Sequence, residues 1–273
     1  MTSTSTSLDA VSATLVVRDR AIVESLDLRL TAGMMVALVG PNGAGKTTAL
    51  RLLAGEVAPS HGAVELDGTP LARVPVLTLA RRRAVLPQET SIEFAFTARE
   101  VVELGRAPHR RTEAENDDPA VVADAMRVTD CSHLADRAFR SLSGGERARV
   151  SLARVIAQDT DYVLLDEPTA ALDIRHQESV MGLAARLAAD GRGVLAVVHD
   201  LNLAAAYATH VGLMQNGRLV AFGPPGEVLR TELLTEAYDV AVEVREHPIR
   251  GCPLVLAATP IDRSVSLSHE VIR

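Results

Sequence analysis

Gly40-Pro41-Asn42-Gly43-Ala44-Gly45-Lys46-Thr47-Thr48 places glycines, a lysine and two hydroxyls in the spacing G-x-x-x-x-G-K-[ST]. An apolar run, Met35 to Val39, precedes it, and good helix formers, Ala49 to Ala54, follow. A strand, a glycine-rich turn and a helix start make an anion cradle. Backbone N–H groups converge there, and the helix dipole favours negative charge. Lys46 can reach the outer phosphates of a nucleotide, and the Thr47 hydroxyl can hold a magnesium ion. The strand-to-helix setting that this pattern requires is present, so the expected ligand is a nucleoside triphosphate.

Two carboxylates, Asp166 and Glu167, end a second apolar run, Tyr162 to Leu165. Beside a phosphate loop, Asp166 can anchor a magnesium shell. Glu167 can orient or deprotonate an attacking water. Adjacent acids at the end of an apolar strand are costly unless cations lie nearby, and a magnesium–nucleotide complex would compensate them. His199 follows a third apolar run, Val194 to Val198, where it can meet the γ-phosphate and the water held by Glu167. Gln88 is uninformative by itself. Ser143 opens a helix that runs to Ala157, with Glu146 three residues later, a capping-box pattern. Gly144 and Gly145 bare the backbone amides there, either as a second anion cradle or as no more than a well-capped helix start.

The elements that must position these groups follow from the pattern. The three apolar runs indicate strands buried on both faces, hence a parallel sheet covered by helices. Helical stretches such as 177–189 and 201–208 separate them, an α/β alternation whose ligands sit at the carboxyl ends of the strands. Residues 13–30 alternate apolar and polar, and with 62–68 can form a small antiparallel layer. The middle, 91–140, reads as a mainly helical insertion, and its acidic tract 113–118 as a solvated loop. Val240 to Val244 and Pro253 to Leu256 read as a terminal hairpin. Residues 1–10, rich in Ser and Thr without an apolar core, read as a frayed end rather than a signal peptide.

The 273 residues can bury a full α/β core. A net charge of −7 argues against a nucleic-acid partner. Two cysteines, Cys131 and Cys252, form no metal or disulfide spacing and suit a reducing cytosol. No apolar run approaches the ~20 residues of a membrane-spanning helix, so a protein working at a membrane would need a partner to supply the spans.

Taken together, Gly40 to Thr48, Gln88, Leu142-Ser143-Gly144-Gly145-Glu146, Leu164 to Pro168, Ala171-Leu172-Asp173 and His199 resemble the ABC transporter ATP-binding subunits in order and approximate spacing. The resemblance runs from about residue 11 to 260. It implies a P-loop NTPase (RecA-like) α/β core with a mainly parallel sheet, an N-terminal antiparallel β layer and a helical subdomain at about 89–155. Residues 240–273 would form a small C-terminal extension.

The resemblance also implies roles. Lys46 and Thr47 bind phosphate and Mg2+, Gln88 approaches the metal, and Asp166 supports it. Glu167 is the catalytic base and His199 the switch residue. Ser143, Gly144, Gly145 and Asp173 act across a head-to-tail dimer on the ATP held by the opposite copy. Implied partners are that second copy, two integral membrane permease subunits at the cytoplasmic face of the membrane and, indirectly, an extracytoplasmic binding protein. One departure concerns the base. Many members stack adenine on an aromatic upstream of the phosphate loop, whereas Leu15 to Arg20 contains none; Val17 or Arg18 takes that place.

Within the family, three segments resemble importers of iron chelates, haem and cobalamin: 79–88, 94–109, and His199 to Ala204. The tail His247-Pro248 with Gly251-Cys252-Pro253 is most similar to the haem importers, with ferric siderophore or cobalamin as the alternative cargo. A soluble, non-transport ABC ATPase is disfavoured by the single cassette and the lack of sustained heptads. Structural roles are the reading for His247 and Cys252, while Arg81 to Arg83 suit a solvated helix end and a partner contact equally.

Overall fold

The computed structural model describes residues 6–88, 95–170 and 172–258; residues 1–5, 89–94, Ala171 and residues 259–273, all covered by the sequence reading, lie outside them. The strands are β1 (Ser7–Val17), β2 (Arg20–Thr31), β3 (Met35–Val39), β4 (His61–Leu66), β5 (Thr69–Pro70), β6 (Arg83–Leu86), β7 (Tyr162–Asp166), β8 (Gly193–Val197), β9 (His210–Gln215), β10 (Arg218–Gly223), β11 (Val242–Glu246) and β12 (Pro253–Ala257). The α-helices are α1 (Lys46–Leu53), α2 (Val76–Arg82), α3 (Ala98–Glu103), α4 (Asp118–Val128), α5 (Gly144–Ala157), α6 (Ile174–Ala189), α7 (Leu201–Tyr207), α8 (Pro225–Val228) and α9 (Thr231–Tyr238).

Among the described residues the central sheet has the order β10-β9-β3-β8-β7-β6. It is parallel from β9 through β6, with only β10 antiparallel. Every residue of β3, β7 and β8 is buried, which explains why their sequences are almost unbroken apolar runs. Packed on one face are α6 and α7, through Met181, Leu183, Ala184 and Leu203. The other face meets α1 and the antiparallel layer β2-β1-β4-β5. Leu8, Leu26, Leu28 and Leu30 of that layer, with Leu50 and Leu53, fill the space between.

Helices α3, α4 and α5 gather around an apolar cluster of their own, including Val101, Met126, Leu134, Phe139 and Val150. Leu152 and Val155 of α5 face the core instead, so this helix belongs to both bodies. The β11–β12 hairpin pairs in register from Val242 with Ala257 to Glu246 with Pro253.

Two expectations need correction. The expectation of a frayed end over residues 1–10 does not hold for residues 7–10. Strand β1 begins at Ser7, and Leu8 and Ala10 are buried against β2 and β4, partners too distant in sequence for a local reading to supply. Nor is the acidic tract 113–118 wholly solvated. Residues Glu113–Asp117 form a 3₁₀ turn, and Asp118 bonds the buried Arg106 at 2.6 Å. An arginine only 3% exposed requires a counter-charge and acceptors, and Arg106 also donates to the Ala157 and Ala114 carbonyls.

Candidate functional site

The strand order decides which side chains meet. Neighbouring parallel strands β3, β8, β7 and β6 deliver, at or just past their carboxyl ends, the glycine-rich turn, His199, Asp166 with Glu167, and Gln88. Since β7 lies between β8 and β6, Glu167 is flanked by His199 on one side and Gln88 on the other. His199 Nε2 lies 2.7 Å from Glu167 Oε1. Gln88 Nε2 donates to Glu167 Oε2 at 2.9 Å. Both carboxylate oxygens are therefore held, one by each neighbouring strand end.

The backbone aims this carboxylate. Glu167 has φ 49°, in the left-handed region that non-glycine residues enter at a cost of roughly 1–2 kcal/mol. Strain of this kind collects at functional sites. Here it turns the chain sharply after β7, so Asp166 stays 4% exposed while Glu167 reaches the cleft.

Two glycines of the turn are required sterically. A Cβ on Gly40 (φ 144°) would lie 2.1 Å from the Met214 carbonyl oxygen of β9. One on Gly45 (φ 96°) would lie 2.7 Å from the Ile22 oxygen of β2. The turn thus lies flat between two strands and leads into α1, whose first-turn N–H groups have no intrahelical acceptor. Lys46 is buried, and its Nζ donates to the Gly40 and Pro41 carbonyls at 2.7 and 3.0 Å, folding back over the turn. Burial pushes its pKa down, against the opposing pull of Glu167 and Asp166. Thr47 Oγ1 donates to Asp166 Oδ1 at 3.0 Å. Burial is also the main cause that raises the Asp166 pKa; the Thr47 hydrogen bond opposes it and the Glu167 charge adds to it.

These groups border a cleft of about 390 Å³ lined by Asn42 to Thr48, Glu167, His199, Arg20 and Ile22. The last two were missed in the sequence. Neither Val17 nor Arg18 lines the cleft. Arg18 and Asp19 have φ 48° and 62° and make the tight β1–β2 turn, with Val17 paired to Arg20, so the first side chain of β2 reaches the cleft instead. A turn signal of that kind could have been read from Arg18-Asp19, since Asp tolerates left-handed backbone.

Ser143, Gly144, Gly145 and Asp173 do not line this cleft. Ser143 caps α5, accepting from the Glu146 N–H at 3.3 Å while the Glu146 carboxylate takes the Ser143 N–H at 2.7 Å. That reciprocal box holds Glu146 below the usual carboxylate range. Asp173 caps α6, accepting from the His176 N–H at 2.9 Å and facing His176 Nδ1 at 2.6 Å. Gly145 faces Leu172, placing the start of α5 beside the segment that leads into α6.

A parallel sheet with a phosphate-type turn after β3 and paired acids after β7 defines a nucleotide-hydrolysing cassette. The family of ABC transporters matches residues 23–170, just over half of the chain, and the protein belongs to that family as an ATP-binding, ATP-hydrolysing subunit. It is 56% identical over 237 residues to a hemin import ATP-binding protein HmuV of Nocardia farcinica, covering 87% of this chain and 82% of that protein. The HmuV protein of Rhodococcus jostii is 51% identical, with coverages of 87% and 81%. Among solved structures, a metal-chelate type ABC transporter in an inward-facing conformation superposes with a TM-score of 0.78 at 27% identity, covering 93% of this chain and 98% of that one. A dimeric ABC transporter cassette, at 24% identity and TM-score 0.73, shares the fold. Among the described residues no helix is long and apolar enough to cross a membrane.

Proposed function

We propose that this chain is the ATPase subunit of a haem importer, working as a head-to-tail pair on two permease subunits at the cytoplasmic face of the membrane. The observation that carries the ATPase mechanism is the clamping of Glu167 between Gln88 and His199 at the rim of the phosphate cleft. The haem cargo is supported by the names of relatives 50–56% identical to it.

In this reading the amides of residues 42–48 and Lys46 hold the ATP phosphates. Lys46 now satisfies its charge on the Gly40 and Pro41 carbonyls, and phosphate oxygens would replace them. Arg20 and Ile22 supply a guanidinium face and an apolar contact for the base. Glu167 accepts the proton of the attacking water. His199 and Gln88 fix the direction of that carboxylate, His199 meets the γ-phosphate, and Gln88 transmits the state of the permease.

Thr47 and Asp166 offer hard oxygen ligands 3.0 Å apart, one of them a carboxylate whose burial outweighs the help of the Thr47 hydrogen bond and the Arg51 charge, which suits Mg2+. Among the described residues no group of three or more His, Cys, Asp or Glu could hold a metal, so the ion fits a site shared with phosphate oxygens. Bound there with Gln88 nearby, Mg2+ would neutralise charge developing on the phosphates.

Ser143, Gly144, Gly145 and Asp173 of the second copy close the site, and tighter binding of ATP to the closed pair drives the permease. An extracytoplasmic binding protein would deliver cargo to that permease, and no nucleic acid is involved. The test is ATPase activity and uptake by the complex reconstituted in liposomes, with haem, ferric siderophore and cobalamin each presented with its binding protein. Stimulation by haem alone is expected. Stimulation by another cargo would reassign the importer, and no ATPase activity would refute the reading.

A further inference from the structure

His199 lies in the short link between β8 and α7, so its position depends on how those two elements are anchored. The β8 side is rigid: Val197 pairs within the sheet, and the Val198 N–H donates to the Leu38 carbonyl at 3.0 Å. The α7 side has only seven residues, too short to be stable by itself. Asp200 caps it, accepting from the Asn202 and Leu203 N–H groups at 2.8 and 3.2 Å.

Asn202 then reaches out of the helix to the C-terminal hairpin. Its Oδ1 accepts from the Val255 N–H at 2.7 Å, and its Nδ2 donates to the Val255 carbonyl at 3.3 Å. The amide thus pairs with β12 as a neighbouring strand would. The far end of α7 is gripped as well. Tyr207 donates to Glu178 of α6, Arg250 from the hairpin turn bonds the same carboxylate at 2.7 Å, and its guanidinium lies 5.6 Å from the Tyr207 ring centroid.

We propose that Asn202 is a positioning residue through which the β11–β12 hairpin holds α7, and with it His199, in register with Glu167. The hairpin is then part of the hydrolytic apparatus rather than an appendage. The inference rests on the role of His199 proposed above.

The test compares full-length wild type, Asn202→Ala and Asn202→Asp by hydrogen exchange and by ATPase kinetics. In Asn202→Ala, peptides covering 199–205 should exchange about tenfold faster, while those of β3 and α1 are unchanged. Its kcat should fall about tenfold at unchanged ATP affinity, the split expected when a catalytic geometry loosens without loss of substrate binding. Asn202→Asp keeps the shorter bond from the Val255 N–H but sets a carboxylate oxygen against the Val255 carbonyl, so it should recover only part of both. Unchanged exchange at 199–205 would overturn the proposal. So would faster exchange with kcat within about twofold of wild type, or an equal loss of ATP affinity, the sign of general unfolding. The exchange measurement needs no turnover. An inactive wild type, or full activity in His199→Ala, would refute the functional reading instead.

Discussion

The strand ends around β7 and the start of α5 both expose backbone N–H groups, yet they differ in what their side chains hold. After β3, β6, β7 and β8 the polar groups are mutually satisfied: Lys46 on carbonyls, Thr47 on Asp166, Glu167 on Gln88 and His199. At α5 the capping box is satisfied, but Ser143 and Gly144 face solvent, and nothing lies within 4 Å of where a Gly144 Cβ would stand. The first region holds its polar groups on one another. The second presents bare backbone that its own copy does not cover. In the proposed reading the first region is the phosphate cradle with its base, and the second is the face that one copy offers to the ATP of its head-to-tail partner.

Breaking the first region should have the largest effect. Glu167→Gln removes the proton acceptor while an amide can still bond Gln88 and His199. ATPase turnover should drop about 10²–10⁴-fold with ATP affinity preserved, measured by phosphate release and by nucleotide titration. Breaking the second region should separate binding from hydrolysis. Ser143→Arg fills the open face at α5 and should cut turnover about 10²-fold, the scale of losing positioned phosphate donors, while the single copy still binds ATP. If isolated copies hydrolysed ATP at the full rate, the shared site would be refuted.

A smaller effect sharpens the base end of the cleft. Arg20→Ala should weaken ATP binding by about 0.5–2 kcal/mol without changing kcat, and Arg20→Tyr should restore it. The smallest is a stability effect. Burial raises the Asp166 pKa in the folded state, so wild-type stability declines as pH rises through that value. Asp166→Asn should therefore raise the Tm of the nucleotide-free protein at neutral pH by a few degrees. That gain should vanish at acidic pH, where the carboxyl is already neutral, and the variant should lose Mg2+-dependent hydrolysis.

Legibility in the sequence followed the range of the interactions. The cradle was readable because the strand, turn and helix that make it are contiguous. The parallel core was readable because β3, β7 and β8 are buried on both faces and therefore unbroken in hydrophobicity. Gln88 was not readable from its own surroundings. It becomes a partner of Glu167 only because β6 pairs beside β7, 79 residues away. Arg20 was displaced from expectation by a turn of two left-handed residues. The burial of Ser7 to Ala10 depended on β4, and the grip of Asn202 on Val255 spans 53 residues. Apart from the Arg18-Asp19 turn, none of these leaves a local pattern.

The central claim is that neither copy owns a whole reaction centre, and its most direct measurement is sedimentation of Glu167→Gln with and without ATP. A species of twice the monomer mass should form with ATP and be abolished by adding Ser143→Arg to the same chain. A Glu167→Gln protein that stays monomeric at saturating ATP, or that dimerises equally with Ser143→Arg, would contradict the account.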